Sequence, residues 1–202
     1  MPFQARNLLQ GTFVNDCRTM TNAELVERWV YRQTPYAFRN AAAAFHAWRN
    51  ELAACLGLES DAICVIGSTA AGLSLSPTKR LRPHSLQSDV DLAIISQQLF
   101  QTAWDWFVAK RIEFMSFPAP VKEWMDDHKS RLIFYRQIAC DQYLEYLPFG
   151  KVWTECLQAA SERAPVRGRV VKARIYADRQ GAHWLSYKWC LGTSRTTWNL
   201  RG

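Results

Sequence analysis

The sequence predicts an α+β fold, a mixed α/β arrangement rather than a regular doubly wound sheet, and three observations predict it. Two short continuous apolar runs, AICVIG at 62–67 and DVDLAII at 89–95, have the length of buried strands. A later segment, RGRVVKARIYAD at 167–178, alternates polar and apolar residues, as a strand between two unlike faces does. Helix-length segments lie before, between and after these runs without a strict strand–helix rhythm.

The elements follow in order from local signals. Thr21 precedes Glu24 by three residues, a capping-box spacing, so TNAELVERWVYRQ at 21–33 is predicted as a capped amphipathic helix. Residues 36–57 form a second helix, with Phe38, Phe45 and Trp48 on the apolar side of the Ala41–Ala44 run and Gly57 as its stop. After the two apolar strands, QQLFQTAWDWFVAKR at 97–111 is helical, and two prolines between Met115 and Pro120 break it. Val121–Leu147 holds one or two helices, Pro148 and Gly150 interrupt, and Lys151–Arg163 is helical. The late strand follows, and 179–192 is helical again.

No internal repeat or flexible linker divides the 202 residues, so one domain over 1–202 is expected. Its parts are N-terminal helices over 1–60, a core over 61–96, a helical block over 97–165, and a late strand with a basic C-terminal helix over 166–202. A content of 49% hydrophobic and 21% charged residues is ordinary for a globular chain with a useful core. No run of 18 apolar residues exists, so no membrane span is expected. The first residues lack the charged-then-apolar pattern of a secretory signal. Cysteines at 17, 55, 64, 140, 156 and 190 show no CxxC pair, and no Cys or His pair has metal-ligand spacing. The expectation is reduced thiols, mostly core fillers, in a cytoplasmic protein.

The net charge of +7 is unevenly placed. Residues 163–202 carry nine Arg or Lys against one acid, while the rest of the chain holds 16 bases and 17 acids. Such a segment attracts polyanions, or serves as a solvated face. Tyr176, Trp184, Tyr187, Trp189 and Trp198 interleave with its bases. Aromatic faces of this kind stack on nucleobases while cations track phosphates, and they serve equally as core anchors.

The chemistry lies in CVIGSTAAGLSLSPTKRLRPHSLQSDVDLAIIS, residues 64–96. A strand ends at Gly67-Ser68 and turns into Thr69-Ala70-Ala71. Glycine lets backbone approach a ligand closely, and serine offers a hydroxyl and an N–H at a helix start, where an anion is favoured. Asp89 and Asp91 share one face of the next strand because side chains repeat every two residues, while Val90 and Leu92 point into the core. Two adjacent carboxylates repel unless a cation joins them or one is protonated. Mg²⁺ fits, because it takes one or two carboxylates plus phosphate oxygens.

GS followed by SDVDL resembles the signature of the DNA polymerase β-like nucleotidyltransferase superfamily. The resemblance implies a polymerase β-like core with a small mixed sheet and helical elaborations. It implies that Gly67 and Ser68 contact a triphosphate and that Asp89 and Asp91 bind two divalent metals, Mg²⁺ or Mn²⁺. Ser88 stands where the family often has Ser or Thr. Two departures matter. The gap from Ser68 to Asp89 spans residues 69–88 and includes Lys79, Arg80, Arg82 and His84, either a basic acceptor-binding loop or a mobile surface loop. A third carboxylate, usual on a neighbouring strand in active members, has one strand candidate, Asp178, and the N-cap of the following helix is the favoured reading of that residue. Asp126, Asp127, Asp141 and Glu145 fall in predicted helices and are poorer candidates. On the late strand Lys172 and Arg174 share a face with Tyr176 and Asp178 and would clamp phosphates.

The resulting expectation is a Mg²⁺-dependent nucleotidyltransferase that passes a nucleotidyl group from an NTP or dNTP to a nucleotide, oligonucleotide or RNA acceptor. The basic segments favour such an acceptor over a cationic small molecule. Bacterial antiphage defence or a toxin system is the leading context, with an effector or antitoxin protein as a partner. The alternatives are a protein-modifying, AMPylating enzyme and a non-catalytic nucleic-acid- or partner-binding module that keeps the fold.

Overall fold

The computed structural model describes residues 3–139 and 144–182. Among them the chain is α+β, with a four-stranded mixed sheet and helices on both sides. The helices are α1 (Phe3–Thr19), α2 (Asn22–Trp29), α3 (Ala42–Leu56), α4 (Gly67–Ala71), α5 (Gln97–Lys110), α6 (Ala119–Tyr135) and α7 (Gly150–Glu162). The strands are β1 (Ile63–Ile66), β2 (Val90–Ile95), β3 (Gln137–Ala139) and β4 (Val171–Tyr176), in the order β1-β2-β4-β3. β1 runs antiparallel to β2, β2 parallel to β4, and β3 antiparallel to β4.

Local signals set the ends of several elements. Thr21 and Glu24 form the full capping box of α2, each side chain accepting from the other residue's backbone N–H. Gly57 ends α3 at φ 66°, the left-handed conformation that glycine adopts without strain. The pair of prolines separates α5 from α6, and α6 opens with Pro120 in its first turn, where the missing N–H costs no bond.

Strand parity gives the sheet two unlike faces. Val65, Leu92, Ile94, Ala173 and Ile175 point to one face, where they pack with Phe45, Trp48 and Leu52 of α3 and Trp153 and Leu157 of α7. The Trp48 indole N–H donates to the Ala160 carbonyl at 2.9 Å, so its burial leaves no polar atom stranded. Ile66, Ala93 and Tyr176 point to the other face, against Phe13 of α1 and Val26 and Trp29 of α2. That second layer covers only part of the sheet. Where β2 begins, the same face carries Asp89, Asp91, Lys172 and Arg174 instead of apolar side chains.

Two expectations need correction. Residues 137–139, expected within a helical stretch, form β3, because Arg136 at φ 47° ends α6 and the next three residues pair with Ala173's neighbours Arg174, Ile175 and Tyr176. Three residues are too few to show a period in sequence. Cys55 and Cys156 are not reduced thiols but form a disulfide between α3 and α7 across a sequence separation of 101 residues. Spacing could not reveal it, since only helix packing brings the two together. Cys17 and Cys64 are free thiols. Among the described residues no helix is long and apolar enough to cross a membrane. The predicted helix at 179–192 is helical at 179–182, and its remainder, with Trp184, Tyr187, Lys188, Trp189, Arg195, Trp198 and Arg201, lies outside the described residues.

Candidate active site

The polar end of the second sheet face opens into a cavity of about 400 Å³. β1 delivers Gly67 and Ser68 to its wall, the start of β2 delivers Asp89 and Asp91, and β4 delivers Lys172 and Arg174. The sheet register explains the convergence: Asp91 sits opposite Ile66 on β1 and opposite Lys172 on β4. Six of the seven residues singled out from the sequence therefore line one cavity.

Gly67 is required here on two counts. Its φ is +68°, and a Cβ at this position would lie 3.1 Å from Asp91 Oδ2. Gly67→Ala is expected to destabilise by about 1–2 kcal/mol for the left-handed backbone and to displace the Asp91 carboxylate. Urea unfolding measures the first effect. The second appears as a loss of metal or nucleotide affinity larger than the stability change explains.

The electrostatics are tightly balanced. Lys172 Nζ donates to Asp89 Oδ2 at 2.7 Å, both side chains being about half exposed (50% and 40%). Asp91 is deeper, and burial pushes its carboxyl above the usual carboxylate range. Arg174, Lys172 and Lys79 pull it back and Asp89 adds to the rise. α4, only five residues long, adds little dipole, so the positive potential comes mainly from Lys79, Lys172 and Arg174.

Sequence reading missed the support beneath these residues. The Thr69 hydroxyl, fully buried, donates to the Asp89 carbonyl at 2.8 Å. Arg169 reaches from the turn before β4, its Nε donating to the Ser88 carbonyl at 2.9 Å and its Nη2 to Thr69 Oγ1 at 3.0 Å. The helix after Gly67 and the segment carrying Asp89 are thus fastened together by one guanidinium. Arg169 was visible in sequence only as one base among nine. Ser74 and Ser76 also line the cavity, with no pattern to mark them.

The 69–88 segment is tied down at its base. Ser74 N–H donates to the Arg82 carbonyl at 2.8 Å and His84 N–H to the Gly72 carbonyl at 2.9 Å, and Leu73, Leu75 and Leu81 are buried. Lys79, Arg80 and Arg82 remain exposed, with Lys79 on the cavity wall. Burial, with Arg169 and Arg39 nearby, pushes His84 down to about 4, so it is neutral at neutral pH.

Asp178 does not join the site. It follows the far end of β4, where it caps the next helix, Oδ1 accepting from Gly181 N–H at 2.8 Å, and pairs with Arg136 at 3.2 Å. It lies two residues past the end of β4 at Tyr176, whereas Lys172 is near that strand's start, so its carboxylate is held at the opposite end of the strand. Asp126 and Asp127 lie on the exposed side of α6, Glu145 is exposed, and none lines the cavity. Asp141 lies outside the described residues. Among the described residues no cluster of three or more His, Cys, Asp or Glu forms.

Comparison with protein-family models, curated proteins and solved structures finds no match to this chain.

Proposed function

We propose that the protein is a divalent-metal-dependent nucleotidyltransferase that transfers a nucleotidyl group from an NTP or dNTP to a nucleotide, oligonucleotide or RNA acceptor and releases pyrophosphate. The supporting observation is that Gly67, Ser68, Asp89, Asp91, Lys172 and Arg174, from three separate elements, line one cavity. The donor chemistry suits Mg²⁺ or Mn²⁺: hard carboxylate oxygens from two residues suffice when phosphate oxygens complete the shell. Asp89 and Asp91 would hold the ion, which would neutralise charge on the phosphates in the transition state.

The chain's own groups do the rest. Lys79 and Arg174 attract the triphosphate, and the hydroxyls of Ser68, Ser74 and Ser76 offer hydrogen bonds along it. Arg169 and Thr69 fix Asp89 through its carbonyl. Among the described residues Asp89 and Asp91 are the carboxylates that line the cavity. The exposed cations of the 69–88 segment suit a polyanionic acceptor.

One observation favours a second reading, a non-catalytic nucleotide- or nucleic-acid-binding module: Asp89 is already neutralised by Lys172. The test is incubation with each α-labelled NTP and dNTP, with Mg²⁺ or Mn²⁺, alone and with RNA, beside Asp89→Ala/Asp91→Ala. Label transferred by the wild type and lost in the variant supports catalysis. Equal labelling by both sinks the assignment of the site. No label under any condition, with RNA still bound, leaves the binding module.

A further inference from the structure

We infer that the cavity takes one divalent cation rather than two, and that the Lys172 ammonium fills the role of the second. The inference rests on the nucleotidyltransferase reading and sharpens it. Its basis is the position of Lys172. On β4 it is the register partner of Asp91, shares that residue's face of the sheet and lines the cavity beside both carboxylates. A lysine there cannot ligate a metal while protonated. Its Nζ donates to Asp89 Oδ2 at 2.7 Å, a short charge-assisted bond.

Charge and donor count agree. The two carboxylates of the cavity share it with two cations from β4, Lys172 and Arg174, and with Lys79. Asp89 is thus paired by the chain itself before any metal arrives. The Asp91 carboxylate and the oxygen of Asp89 not engaged by Lys172 would hold a first divalent ion together with phosphate oxygens. A second would meet a lysine where it needs an anion, and the described residues form no group of three or more metal-ligating side chains. A fixed ammonium beside the first ion can still stabilise charge on a phosphate oxygen, as a point charge.

The same geometry makes Lys172 a competitor of the ion. With no nucleotide present, the ammonium and a cation repel across Asp89, which weakens metal binding. Phosphate arriving beside Lys172 relieves that repulsion, so metal and triphosphate bind cooperatively.

The experiment counts bound Mn²⁺ by electron paramagnetic resonance and calorimetry, with a non-hydrolysable nucleoside triphosphate present. The wild type is expected to bind one Mn²⁺ per chain and Lys172→Glu two. Lys172→Met, a neutral change at a half-exposed side chain, is expected to bind Mn²⁺ alone several-fold more tightly than the wild type. Two Mn²⁺ in the wild type would overturn the inference and leave the functional reading standing. One in Lys172→Glu, or unchanged affinity in Lys172→Met, would remove Lys172 from this role. No Mn²⁺ bound by the wild type would defeat the functional reading and the inference together.

Discussion

Asp91→Asn is expected to lower nucleotidyl transfer by about three orders of magnitude while leaving the protein at least as stable as the wild type. The loss follows from removing a charged ligand from a metal-assisted step. Such charge stabilisation contributes several kcal/mol, and each 1.36 kcal/mol is about tenfold in rate. The stability follows from the sign of the carboxyl's shift. Burial raises the pKa of Asp91, and the cations on β4 do not cancel the rise. A carboxyl whose folded pKa lies above its unfolded value makes the charged form a cost to folding at neutral pH, and that cost fades as pH falls through the folded pKa. Asparagine removes it. Melting curves at neutral pH should therefore place the variant level with or above the wild type, and the difference should shrink in acid. A variant that loses activity and also melts far below the wild type would make Asp91 a structural carboxylate instead.

Breaking the Cys55–Cys156 link is expected to lower the unfolding free energy by up to about 4–5 kcal/mol, the chain-entropy value for a closed loop near 100 residues. The bridge closes a loop of 101 residues between α3 and α7. Cys55 is the position to change, since it is exposed whereas Cys156 lies in the core and a serine there would add a buried hydroxyl. Cys55→Ser and wild type in reductant should unfold at the same urea concentration, both below the oxidised wild type. Identical midpoints with and without reductant would show that the link contributes nothing. The cavity lies on the other face of the sheet from these helices, so metal and nucleotide binding should survive the change.

The parts of this molecule that sequence made legible are those governed by local rules. The capping box at Thr21 and Glu24, the stop at Gly57 and the alternation around Asp89 and Asp91 depend on residues a few positions apart, and each stands where its spacing put it. The pairing of Lys172 with the aspartates was half legible: parity gave its face, but only the parallel register of β2 and β4 put it beside Asp91 and in contact with Asp89. Asp178 shows the limit of parity. It belongs to the right face by count, yet it lies past the strand's far end, where a helix cap and Arg136 use both of its oxygens. Arg169, Thr69 and the disulfide depend on contacts between segments some 80 to 101 residues apart, which no local pattern encodes.

The central claim is that Asp89 and Asp91 hold a metal against a triphosphate in the cavity under Gly67. A crystal grown with Mn²⁺ and a non-hydrolysable nucleoside triphosphate tests it most directly, because manganese scatters anomalously. The account predicts an anomalous peak at coordination distance from both carboxylates, with the phosphates running past Ser68 toward Lys79 and Arg174. Nucleotide bound elsewhere, or manganese absent from the aspartates while the triphosphate is in place, would contradict it.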